Sequence, residues 1–175
     1  MVATDAQRLR DIREGSYVER CHTKPHIGSY NNGFHTYGML SACLLLHPGP
    51  SLALLRAISL HDTSSERVVG DMPHGGKKGF PELGAAYEDA EDSVREERGL
   101  QIPDLNPTEA RWLKWLDLLD FWWWTQEQEK LGSRTYIKDQ EACDHMIALG
   151  WNDIPPELQH VLLDWSGETK EWTRG

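Results

Sequence analysis

The chain has 175 residues, a length that fits one domain with a single core. Its formal net charge of −10, from 28 acidic against 18 basic residues, excludes a general nucleic-acid or anionic-membrane surface, which needs clustered Lys and Arg. No apolar stretch approaches the roughly 20 residues that span a bilayer, and the opening MVATDAQRLRDIREGSY is too polar for a signal peptide. Three cysteines without CxxC spacing, Cys21, Cys43 and Cys143, complete the expectation of a soluble protein in a reducing cytoplasm.

In chain order, residues 5–14 read as a short helix ended by Gly15, and residues 20–34 (RCHTKPHIGSYNNGF) as an ordered loop rich in Gly, Asn and Pro. A helix is expected from about 34 to 47, with His35, Met39, Cys43 and Leu46 on one stripe. His47-Pro48-Gly49-Pro50 breaks it. Ser51 then caps a helix in which Leu54, Leu55, Ile58, His61 and Asp62 recur at helical spacing, so His61 and Asp62 fall on or beside the buried face. A second break spans Gly70 to Gly79. Residues 82–99 read as an acidic helix whose run from Glu88 to Glu97 is a solvated face. Asn106-Pro107-Thr108-Glu109 starts a helix over 107–131, stopped by Gly132. Shorter helices over 138–149 and 156–165 follow, the last opened by Pro155-Pro156. No clean apolar/polar alternation marks a strand, so the expected class is all-α.

Four groups in this pattern carry chemistry. On helix 107–131, Leu113, Asp117, Asp120 and Trp124 share a face beside the apolar stripe of Trp112, Leu116, Leu119 and Trp123. Asp117 is thus expected to point inward, where an unpaired carboxylate costs several kcal/mol. Taken singly, His35 can be a hydrogen-bonded core histidine, Asp62 a turn cap, and Asp117 a partner of Arg111 or Lys114. Taken together, His35, His61, Asp62 and Asp117 supply the imidazole and carboxylate donors of a buried metal site, and hence of hydrolytic chemistry. Trp122, Trp123 and Trp124 cover too wide an arc for one core stripe; either part of the run lies in a subunit interface, or the helix is central and deeply buried.

The order His35 … His61-Asp62 … Asp117 resembles the signature of the HD-domain metal-dependent phosphohydrolases. Further stretches are similar to one nucleotide-hydrolysing branch: Arg20-Cys21-His22-Thr23, His47-Pro48-Gly49-Pro50-Ser51, Glu66-Arg67-Val68-Val69-Gly70-Asp71-Met72-Pro73 with Lys77, and Leu113-Lys114 with Asp117 and Asp120. That branch includes bacterial 5′-deoxynucleotidases and bacteriophage dATP triphosphohydrolases. The resemblance covers residues 18–130 and implies a single HD-type helical bundle over 1–175, with the metal site between core helices.

The resemblance also implies roles. His35, His61, Asp62 and Asp117 would hold one divalent ion, Zn²⁺, Co²⁺ or Mn²⁺ rather than Mg²⁺, which prefers oxygen ligands; a further metal could accompany the substrate phosphates. Glu66 and Asp71 would be the acid/base pair. Arg20 and Lys77, with Lys78 as a substitute, would neutralise phosphate. Cys21, His22 and Thr23 would line the base pocket, and Gly75 would lie in the loop that admits a longer phosphate chain. The implied activity is release of triphosphate from a deoxynucleoside triphosphate, dATP foremost. Alternatives are a 5′-deoxynucleotidase acting on monophosphates and a catalytically silent nucleotide-binding protein. A homo-oligomer is implied, in a host cytoplasm if the protein is phage-encoded, with no nucleic-acid polymer or membrane as partner.

Three departures from the family pattern carry expectations. Ser65 stands where the catalytic Glu is usual, and Glu66 lies one residue later, a rotation of about 100° on a helix. Either a π-bulge absorbs the extra residue or Glu66 turns away from the site; the intact Glu-Arg-x-x-Gly-Asp spacing favours the bulge. Cys21 replaces a Trp, removing an aromatic wall. Phe34 precedes His35 where an acidic residue is usual, which leaves the second nitrogen of that imidazole without an evident partner.

Overall fold

A computed structural model describes residues 3–73, 77 and 79–166. The fold is all-α; among the described residues there is no strand, only an isolated antiparallel bridge between Glu19 and Asn31. Helix α1 (Asp5–Gly15) starts at a capping box in which Thr4 and Gln7 satisfy each other's backbone amides. Helix α2 (Asn32–Leu46) begins where the Asn31 side chain accepts from the Phe34 amide. Helix α3 (Leu52–Leu60) is capped by Ser51. A short α4 (Glu66–Val69) leads to Gly70, whose φ of 76° turns the chain away. Then come α5 (Pro81–Arg98), ended by Gly99 in the left-handed region, and α6 (Pro107–Lys130), opened by an Asn106–Glu109 capping box. Helix α7 (Ile137–Leu149), a 3₁₀ turn (Trp151–Asp153) and α8 (Pro156–Ser166) complete the described chain.

Helix α6 is the central element and packs against α2, α3 and α7. Met39 and Cys43 of α2, Leu54 and Ile58 of α3, and Trp112, Trp115, Leu116, Leu119 and Trp122 of α6 form the main core with residues of α7 and α8. A satellite cluster of Tyr30, Trp124 and Tyr136 anchors the 16–31 loop, with the Trp124 indole stacked on Tyr30 at 4.4 Å between ring centroids. Gln128 clips the same loop by accepting from the Ile27 amide at 2.8 Å and donating to its carbonyl at 2.9 Å. The Trp run thus splits. Trp122 and Trp124 are buried, while Trp123 is half-buried and lines an open apolar groove with Phe34, Tyr37, Leu45 and Trp165.

Two expectations need correction. First, no π-bulge follows Asp62. Helix α3 ends at Leu60, a turn carries residues 61–65, and α4 restarts at Glu66. The local chemistry explains the break. The hydroxyls of Ser59, Thr63 and Ser64 donate to the carbonyls four residues back, at 2.9, 2.5 and 2.5 Å, competing with the helical amides. Second, the acidic run of α5 is not wholly solvated. Glu91 is buried and accepts from Ser65 Oγ at 2.8 Å, while Arg95 donates to the His61 carbonyl at 2.7 Å and to Ser64 Oγ at 3.2 Å. One face of α5 therefore clamps the 61–65 turn, and the charges there are consumed by tertiary contacts.

Helix α1 braces the same turn from the other side. A Cβ on Gly15 would stand 2.0 Å from the Thr63 carbonyl oxygen, a backbone atom with little freedom to retreat. Gly15→Ala gains about 0.5–1 kcal/mol of helix propensity but meets an overpacking cost of about 1–3 kcal/mol. The variant is expected to melt below the wild type in a thermal denaturation. A higher melting temperature would show that α1 does not press on the turn.

Candidate metal centre

The end of α3, the start of α2 and the middle of α6 bring three elements to one point. His35 and His61 face each other with Nε2 atoms 3.2 Å apart. Asp62 Oδ2 lies 3.2 Å from His61 Nε2 and 3.6 Å from His35 Nε2. Asp117 Oδ1 approaches His35 Nε2 to 3.1 Å. The ligand atoms of His35, His61 and Asp62 all lie within 4.8 Å of one another, so the three can hold a metal ion together. His35 is fully buried, whereas Asp117 does not point into closed core as expected. Its side chain is 50 % exposed and sits at the mouth of the cluster. The inward position on α6 belongs instead to Asp120, one turn further on.

Hydrogen-bond partners assign the ring tautomers. His61 Nδ1 lies 2.8 Å from the Ile58 carbonyl, which can only accept, so Nδ1 carries a proton. His35 Nδ1 lies 2.7 Å from Asp120 Oδ2, a carboxylate that also accepts from the Tyr30 hydroxyl at 2.9 Å, and this is the shorter of the ring's two carboxylate contacts, Nε2 standing 3.1 Å from Asp117 Oδ1. With both rings neutral and the His35 proton on Nδ1, two Nε2 lone pairs converge with two carboxylates. Such an arrangement needs a cation at its centre, and two imidazoles with carboxylate oxygens match the donor preference of Zn²⁺, Co²⁺ or Mn²⁺. The residues present fit a divalent ion.

In the metal-free protein a proton fills this need. Burial pulls the His61 imidazole down, but the adjoining Asp62 carboxylate outweighs it and holds the pKa up at about 9. Burial raises Asp62 too, yet His61 and Arg20 keep it well below the usual carboxylate range. The Arg20 guanidinium donates to Asp62 from Nη1, lies 3.9 Å from Asp117 through Nη2, and rests 5.6 Å above the Tyr30 ring.

Glu66 reaches the neighbourhood despite the extra residue. The 61–65 break reorients it, and its buried carboxylate accepts from Asn32 Nδ2 at 2.7 Å. Burial, with Asp62 close by, pushes its pKa up to about 8. Asp71 sits on the loop after α4, where it accepts from the Cys21 amide at 3.2 Å and lies 3.7 Å from His22 Nδ1. Cys21 adopts φ 58° and packs on the Tyr30–Trp124–Tyr136 cluster, with burial pushing its thiol up to about 11. Aromatic residues from elsewhere in the fold thus pack against Cys21. His22 and Thr23 are exposed. Lys77 rests over the Tyr87 ring, 4.4 Å from its centroid, rather than on the carboxylates. Gly75 and Lys78, with His74, lie outside the described residues. His26 packs edge-on against Trp124 as part of the loop anchor.

Sequence reasoning overlooked Asn32, Tyr30 and the clamp from Glu91 and Arg95. It placed Asp120 on the face of Asp117 and in a motif, without its partner His35. Gly38 was a usable signal: a glycine inside an apolar helix marks close approach, and a Cβ there would meet Asp120 Oδ1 at 2.0 Å.

Compared with known proteins, the chain matches no protein-family model and no curated protein.

The tautomers and the His61 shift predict linked behaviour. Metal can bind only after the His61 proton leaves, so at pH 7 each divalent ion bound is expected to release about one proton. Affinity is expected to rise with pH, bend near pH 9 where half of His61 has lost its proton, and level above it. Calorimetric titration of zinc in buffers of different ionisation enthalpy reads the proton count directly. The stability sign follows from the same groups. His61 and Glu66 both have folded pKa values above their ordinary ones, so their contribution is lost as pH rises, from about 4.5 to 8 for Glu66 and 6.5 to 9 for His61. The metal-free protein is expected to melt lower at pH 9 than at pH 6, and Glu66→Gln to flatten that slope.

Proposed function

We propose that this chain is an HD-type metal-dependent phosphohydrolase acting on deoxynucleotides, with release of triphosphate from dATP as its leading activity. The observation that carries the reading is the convergence of His35, His61 and Asp62, with Asp117 at the open side and Arg20 against the carboxylates. When bound, a divalent ion supplies Lewis-acid polarisation of a phosphoryl oxygen and an acidic water as nucleophile.

The chain's own residues divide the remaining work. Glu66, a carboxyl that burial and Asp62 keep easily protonated in the metal-free chain, is the group proposed to take a proton from the water and return it to the leaving group. Asn32 holds that carboxyl in place through Oε2. Asp71 adds negative charge that favours the protonated form of Glu66 and fixes the Cys21 amide, so it tunes the base and shapes the loop. Arg20 is largely buried beside the ligands and presents a planar fork suited to phosphate oxygens. The implied homo-oligomer belongs to the same proposal; Tyr37 and Leu45, 71 % and 82 % exposed on α2, supply apolar surface for it.

One observation favours the monophosphate alternative. Among the described cations Arg20 touches the carboxylate cluster, whereas Lys77 lies on Tyr87. A monophosphate asks for less charge neutralisation than a triphosphate. Incubating dATP and dAMP separately with the zinc-, cobalt- or manganese-loaded protein distinguishes the two by product: triphosphate from dATP, or phosphate from dAMP. Glu66→Gln is expected to lower the rate by about 10²–10⁴-fold. Ligand-dependent thermal stabilisation without turnover of any nucleotide would instead identify a silent binding protein and overturn the enzymatic reading.

A further inference from the structure

We infer that Asp120, seated by Tyr30 and by the bare Cα of Gly38, is the positioning residue that keeps the His35 proton on Nδ1 and so leaves the Nε2 that faces the cluster with a lone pair. Helix α6 brackets the His35 ring from two positions one turn apart, with Asp117 at Nε2 (3.1 Å) and Asp120 at Nδ1 (2.7 Å). Both carboxylates attract a proton, and a neutral imidazole has only one to give. Whichever carboxylate holds it determines whether Nε2 meets His61, Asp62 and Asp117 with a lone pair or with an N–H. A lone pair can bind a cation; an N–H cannot.

The surroundings favour Asp120. Its side chain is 9 % exposed against 50 % for Asp117, so water competes far less for its oxygens. The Tyr30 hydroxyl, in a fully buried residue, donates to the same Oδ2 at 2.9 Å and fixes that oxygen's direction. That hydroxyl is also 3.2 Å from His35 Nδ1, so without the carboxylate it can rotate and donate to the ring nitrogen instead. The alternative state is thus already built: Tyr30 donating to Nδ1, and Nε2–H donating to Asp117. Asp120 holds the ring out of it. Gly38 is the steric condition, because Asp120 Oδ1 occupies the space a Cβ would need, 2.0 Å away.

The consequence for metal affinity rests on the metal-holding reading of the cluster; the tautomer does not. Long-range proton–nitrogen correlation spectra of the metal-free full chain, recorded at pH 9, report the protonation of each ring nitrogen. In the wild type the His35 proton is expected on Nδ1. In Asp120→Leu it is expected to move to Nε2, and in Asp120→Asn, which keeps one acceptor oxygen, to be shared between the two. Gly38→Ala displaces the carboxylate without removing a titratable group and is expected to shift the proton the same way. Zinc affinity should fall by about 10–100-fold in Asp120→Leu and less in Asp120→Asn. A merely structural Asp120 would lower the melting temperature of the variants and leave the ring signals unmoved, which overturns the inference, as does a wild-type His35 with its proton on Nε2. A tautomer shift in a chain that binds no zinc would uphold the positioning role while removing the metal reading.

Discussion

The two Nε2 atoms of His35 and His61 stand 3.2 Å apart, each on a ring whose other nitrogen is already committed to an acceptor. Two neutral imidazoles so arranged point lone pairs at each other, and the carboxylates of Asp62 and Asp117 add more negative charge at the same place. The protein can tolerate this only with positive charge at the centre. A proton on His61 and the Arg20 guanidinium provide it in the metal-free chain; a metal ion held by the same donors would provide it more fully. The cluster is therefore a place where folding and cation binding draw on one set of charges.

Holding such a cluster together requires rigidity from outside it, and much of the surrounding structure serves that end. Arg95 and Glu91 of α5 grip the turn that carries His61 and Asp62, and Gly15 lets α1 close against its back. Tyr30 is fixed by stacking on Trp124, and the Gln128 clip ties down the loop that bears Arg20. These contacts bridge elements far apart in the chain, so the site depends on the packing of the whole bundle rather than on any one helix.

That dependence also decides what the amino-acid sequence made legible. Helix starts at Ser51 and Asn106 were readable because capping is local chemistry, and the all-α class followed from periodicity. His35, His61, Asp62 and Asp117 could be singled out as donors because polar groups interrupt apolar runs. The burial of Glu91, the partnership of Asp120 with His35 and the contact between Asn32 and Glu66 were hidden, since each joins residues tens of positions apart. Asp117 and Asp120 share one face by periodicity, and only the packing of α2 against α6 determines which faces the cleft mouth. The break after Asp62 lay in plain view as Thr63-Ser64, whose hydroxyls compete with the helix, but a bulge and a broken helix place the same residues in a row.

The central claim is that His35, His61, Asp62 and Asp117 together hold one divalent ion. Metal-free protein titrated with zinc and weighed by native mass spectrometry tests it most directly. The account predicts one ion per chain, with binding lost in His35→Ala and His61→Ala variants that remain folded by circular dichroism. A wild-type chain that takes up no zinc, cobalt or manganese, or one whose uptake both histidine variants preserve, would contradict it.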